Sequence, residues 1–182
     1  YNSVSFGATL DLTDIELGAN ATQEYIDYCR NVSGSITTND CNSDSISINA
    51  GYGADTRDNA QFPTKGQVFS VGAQIGLPVF DMNYYTITAK AEKYWPIQGG
   101  MSFKAKGTVG LADAYSDKKF PFFKNFFTGG PNSIRGYDQS SVGEKTLNAA
   151  TGVYETTGGK SSLLGSVELF FPPPGLKNVK SF

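Results

Sequence analysis

Few side chains in this 182-residue chain could do directed chemistry, and each kind narrows the function. Arg135 stands in an Ile134-Arg135-Gly136-Tyr137 tip. A guanidinium at the tip of a long connection suits bidentate pairing with a carboxylate. Glu168 supplies such an acid. Leu163, Val167, Leu169 and Phe171 share one parity, and Glu168 falls one residue out of step, on the polar face. Cys29 and Cys41 lie in a single connection. In an oxidising compartment they favour a disulfide, two free thiols being the alternative. The loop it closes is short, so it contributes about 2–3 kcal/mol. The chain has no histidine, which removes the usual general base and the commonest metal ligand. Asp40, Asp44, Asp55 and Asp58 lack EF-hand spacing. No Gly-rich loop follows a strand and opens a helix. The expectation is a protein that is not an enzyme and uses no cofactor and no metal. A net charge of -2 gives no field for nucleic acid.

The elements that position these groups are strands. Val4, Phe6, Ala8, Leu10 and Leu12 alternate with small or polar residues. The same alternation returns from Ile46 to Ala54, Phe69 to Leu77, Tyr85 to Ala91, Met101 to Leu111 and Leu163 to Phe171. Period-two alternation marks strands with one apolar and one polar face. Runs of about ten residues suit tilted transmembrane strands, whereas a membrane helix needs about 20 apolar residues. Negative mean hydropathy is consistent, because half of each strand faces water. Tyr84, Tyr85, Tyr94 and Trp95 flank the fourth run as interfacial aromatics do. Lys93, on the apolar face beside Trp95, reads as a snorkelling lysine.

The long connections, 13–44 and 112–160, leave the same end of the sheet, and the short ones, 55–66 and 96–100, leave the other. Outer-membrane barrels sort their loops in this way. The fold class expected is all-β, an antiparallel transmembrane β-barrel. Six strands do not close a barrel when about eight is the smallest membrane example, so the chain reads as a portion of a larger one. Within 13–44 the residues before Cys29 read as a short helix, with Asn20 as cap and Gln23 completing a capping box. A soluble sheet module is the bland alternative.

Phe120, Phe122, Phe123, Phe126 and Phe127 precede a Gly129-Gly130-Pro131 turn and the arginine tip. An aromatic cluster of this density is an aggregation liability in solvent, so the connection must pack against something. The run, the Gly-Gly turn and the tip resemble the sixth extracellular loop of the BamA family of outer-membrane β-barrel assembly factors. Asp55-Thr56-Arg57-Asp58 and Phe62-Pro63-Thr64-Lys65-Gly66 resemble a periplasmic turn of that family.

The resemblance covers nearly the whole chain. It implies that residues 1–182 are a portion of a C-terminal outer-membrane barrel domain, the seventh to twelfth of sixteen strands, with 13–44 and 112–160 extracellular. It implies that Phe122, Phe123, Phe126, Phe127, Gly129 and Gly130 pack the loop. It implies that Ile134, Arg135, Gly136 and Tyr137 fold into the lumen, where Glu168 is the partner of Arg135. The implied function is that of the central barrel subunit of the assembly machinery, folding and inserting other outer-membrane proteins. The implied location is the outer membrane of a Gram-negative bacterium. Implied partners are outer-membrane lipid, unfolded β-barrel clients, and accessory lipoproteins bound through periplasmic domains not in this chain. A two-partner-type secretion pore of the same superfamily, which shares the Arg-Gly-Tyr tip, is the alternative.

Overall fold

Alternation becomes pairing in the computed structural model, which describes residues 1–34, 40–148 and 150–171. In chain order the elements are β1 (Asn2–Asp11), β2 (Asp14–Glu16), α1 (Gln23–Ser33), β3 (Asp40–Asn42), β4 (Ser45–Asp55), β5 (Gly66–Gly76), β6 (Tyr84–Pro96), β7 (Ser102–Ala114), β8 (Lys145–Asn148), β9 (Val153–Thr156) and β10 (Ser161–Phe170). Six of them form one antiparallel sheet in the order β1-β4-β5-β6-β7-β10. The register keeps like faces together. Phe6 opposes Ala50, Ala50 opposes Ala73, Ala73 opposes Ile87 and Ile87 opposes Leu111. A slip of one residue would turn every apolar side chain to the other face, so the alternation itself fixes the pairing.

The apolar face is uncovered. Phe6 and Leu163, near opposite margins of the sheet, are each 81% exposed. An apolar face this wide exceeds what a soluble surface carries and matches hydrocarbon. No helix among the described residues is long and apolar enough to cross a membrane. The sheet strands, of 10 to 13 residues, are long enough to cross when tilted. Lys93 lies near the end of β6 with its Nζ 5.2 Å from the Trp95 ring centroid, an apolar stem under a polar head.

The buried core sits at one end, against the polar face. One cluster joins Met82, Tyr84, Ala112 and Phe120; the other joins Tyr28, Cys29 and Cys41. The first cluster sets Phe120 of the second long connection on residues at the end of the sheet, and the second cluster lies within the first long connection. The two long connections carry structure of their own. β2 and β3 form a small ribbon in the first, and β8 and β9 form a hairpin in the second. Helix α1 forms as expected but begins differently. Its cap position is Thr22, without a side-chain capping bond. Gln23 instead reaches Asp27 at 2.8 Å, and the Asn20 carbonyl accepts from Asn148 Nδ2 at 2.5 Å. Asn20 thus stands two residues before the cap position, tied through its backbone to the other long connection. Gly34 closes the helix at φ 68°, donating to the Arg30 carbonyl at 3.1 Å.

Candidate functional site: a braced loop on the polar face

The connection between β7 and β10 lies across the polar face of the sheet. Its aromatic run explains how. Phe120 meets Tyr84 edge-on at 6.2 Å. Phe122 stacks on Tyr25 at 4.1 Å and meets Tyr28 edge-on at 5.5 Å, while Phe123 meets Tyr28 at 6.1 Å. Such pairs add about 0.5–1.5 kcal/mol each beyond area burial. A short 3-10 turn at Phe122–Lys124 splays successive side chains in different directions. Phe126 reaches the wall, where Gly110 makes room for its ring. A Cβ on Gly110 would stand 2.7 Å from that ring and 2.7 Å from Ser162 Oγ. Phe127 lies against Gly158 but remains 39% exposed.

Backbone bonds then staple the loop to itself. Phe126 and Gly159 exchange N–H···O bonds of 2.8 and 3.0 Å. Val142 N–H donates to the Thr128 carbonyl at 2.9 Å, and Thr128 Oγ1 donates to the Val142 carbonyl at 2.8 Å. Gly129 and Gly130 have φ of 115° and 91°, which L side chains rarely adopt, so the turn needs glycine at both. Gly130 N–H donates to the Tyr137 carbonyl at 3.0 Å and closes the tip. Gly136 turns it further at φ 87°.

The rest of the site is a charged row on the wall. Lys90 and Glu92 pair at 2.9 Å, Lys104 lies 3.9 Å from Glu92, and Tyr94 donates to Glu92 at 2.9 Å. Glu168 opposes Lys104 directly in register, and their charges lie 3.7 Å apart. The structure therefore does not bring Arg135 and Glu168 together. Arg135 is exposed, and among the described residues it has no carboxylate partner. Tyr137 is 58% exposed and not packed on the wall. Ile134 nevertheless shares a groove of about 510 Å³ with Leu164, which lies on the same face of β10 as Glu168.

Helix α1 completes the brace. Cys29 and Cys41 are joined in a disulfide that ties α1 to β3. Tyr28 is 2% exposed, and its hydroxyl pairs with Ser43 Oγ at 2.5 Å. Burial pushes the Tyr28 phenol up to about 12, against the opposing pull of that bond. At the far end of the sheet Asp58 organises the 56–65 turn. It accepts from Thr64 N, Thr64 Oγ1 and Lys65 N at 3.0, 2.5 and 3.2 Å. These bonds, led by the Thr64 hydroxyl, hold its carboxyl at about 2.

Sequence reasoning found the aromatic run, the tip and the disulfide pair. It missed Lys104 as the neighbour of Glu168, and it missed Lys124, whose Nζ lies 3.1 Å from Asp11 Oδ2. The one available signal for Lys124 was a lone cation amid phenylalanines.

The whole chain, residues 1–182, matches the Omp85 superfamily domain. It is 30% identical over 183 residues to the outer membrane protein assembly factor BamA of Neisseria meningitidis serogroup B, covering 100% of this chain and 23% of that protein. It superposes on the crystal structure of BamA from Haemophilus ducreyi lacking POTRA domains 1-3 with a TM-score of 0.87 at 20% identity, covering 98% of this chain and 36% of that one. The chain thus spans less than half of either.

Proposed function

The chain belongs to the Omp85 superfamily, and on that premise we propose that its parent is the central barrel subunit of an outer-membrane β-barrel assembly machinery. It resides in the outer membrane of a Gram-negative bacterium. There it folds and inserts other outer-membrane proteins. The observation that carries the reading is the relation to an outer membrane protein assembly factor along the entire chain, at 30% identity. The open six-strand sheet is one sector of the barrel wall, its apolar face on lipid and its polar face on the lumen. Residues 12–44 and 115–160 lie outside the cell at the lumen mouth, and the 56–65 turn is periplasmic. Accessory lipoproteins bind through periplasmic domains outside this chain.

The mechanism uses geometry, not covalent chemistry. Insertion is slow because strand edges must enter lipid with their backbone groups paired. A wall that stays paired while its neighbours open offers such edges a place beside it. The sector here is the rigid part. Its strands are paired along their length, and the 115–160 loop braces the lumen side. Arg135 engages Glu168 in the assembled barrel and locks the tip. Glu168 is 47% exposed and held to Lys104 only at 3.7 Å, so it retains acceptor capacity. The groove shared by Ile134 and Leu164 already brings the tip to β10.

Reconstitution tests the reading. The complete protein in liposomes is offered an unfolded barrel client. The expected result is faster client folding. If it instead passes a partner polypeptide across the membrane without speeding folding, the secretion-pore reading replaces this one.

A further inference from the structure

The FPFFKNFF run carries one lysine between aromatic residues. A lone ammonium packed among phenylalanines is costly unless it finds an anion. Lys124 finds Asp11 at 3.1 Å, the two side chains being 26% and 28% exposed. Its Nζ also lies 5.6 Å from the Tyr84 ring centroid, where the ring face attracts a cation.

The direction of that bond is the informative part. The loop leaves the sheet from β7 and returns into β10, at one margin. Asp11 ends β1, the outermost strand at the other margin. From β7 to β1 is four inter-strand steps, about 19 Å of sheet. The pair therefore spans the polar face and joins residues 113 apart in the chain. Asp11 is held in place by its strand, directly opposite Ser45 of β4. Lys124 is held by its turn. Its N–H donates to the Pro121 carbonyl at 2.9 Å, Asn125 N–H donates to the Phe122 carbonyl at 3.1 Å, and Asn125 Nδ2 donates to the Thr157 carbonyl at 2.8 Å. With both ends fixed, the ion pair sets where the loop crosses the sheet. Its energetic worth is small, because both charges regain water when the loop lifts. Its consequence is positional.

We propose that Lys124 is a positioning residue: with Asp11 it tethers the base of the 115–160 loop across the polar face, independently of Arg135. It places Phe126 on Gly110 and so brings the tip over β10. The inference deepens the assembly-factor reading and rests on it for its consequence, though not for the tether itself.

The test uses the complete protein in liposomes and measures how fast chymotrypsin cleaves the loop, since the substitutions leave its cleavage sites unchanged. Heat-modifiable electrophoretic mobility confirms a folded barrel. Lys124→Glu and Asp11→Asn should each speed cleavage about fivefold. Lys124→Arg should stay near the native rate. The charge exchange Lys124→Asp with Asp11→Lys should return cleavage towards native. A folded Asp11→Asn protein cleaved at the native rate overturns the tether, whatever becomes of Lys124→Glu. So does an exchange that is cleaved no more slowly than the single variants. Client folding is read in the same liposomes. Loss of the tether with unimpaired folding would refute the link to assembly and leave the tether standing.

Discussion

Arg135 and Glu168 illustrate how much a single side chain's meaning depends on what surrounds it. In the sheet sector, Glu168 faces Lys104 across one pair of strands, and Arg135 stands clear. A pair of this length, with Glu168 half exposed, contributes under about 1 kcal/mol, so Glu168 is not committed to Lys104. If the tip lock forms in the complete barrel, Arg135→Ala and Glu168→Ala should each impair client assembly. Together they should impair it clearly less than the sum, because residues of one contact are coupled. A double-mutant cycle on client folding rates checks this, and additive losses would sever the pair. The sequence showed both residues by type and parity. It did not show Lys104, because the cross-strand neighbour depends on where each turn sets the register.

At the scale of elements, the disulfide matters more than its place in a surface connection suggests. Cys29 and Cys41 share a buried cluster with Tyr28, and Phe122 and Phe123 of the other long connection pack on it. The bond therefore holds the helix against which the aromatic run is seated. Replacing both cysteines by serine should destabilise this cap by about 2–3 kcal/mol. It should also expose the run, read as increased binding of a hydrophobic dye to the folded protein. Unchanged dye binding would show that the aromatic contacts hold α1 without the crosslink. The six sheet strands were legible because one face meets lipid, which imposes a period of two on every run. Helix α1 was legible for the same kind of reason, with Tyr25, Ile26 and Cys29 on one face. Its cap was not, because the helix starts at Gln23, with Thr22 and not Asn20 at the cap position, in a segment tied through the Asn20 carbonyl to Asn148, 128 residues away. The Lys124–Asp11 pair was illegible on the same ground: no local pattern joins two ends of a sheet. The β8–β9 hairpin did leave a trace, in Val153, Tyr154 and Thr156 after Gly152, within a connection read as one loop.

At the scale of the whole molecule, the sheet sector and its loop behave as a braced wall. Lys124 fixes the loop at one margin, Phe126 seats it on Gly110 near the other, and α1 covers its aromatic run. The central claim is that assembly of client barrels requires this loop to stay docked. Gly110 gives the most direct access to it. Valine there drives a side chain into the Phe126 ring, and such overpacking costs about 1–3 kcal/mol. Gly107, three residues away on the same strand, has open space where a Cβ would stand. The deciding measurement is the folding half-time of an unfolded eight-stranded client in liposomes carrying the complete protein, native, Gly107→Ala or Gly110→Val. The native and Gly107→Ala proteins should speed client folding equally, and Gly110→Val should slow it about tenfold relative to them. A folded Gly110→Val protein that matches the native rate would contradict the account.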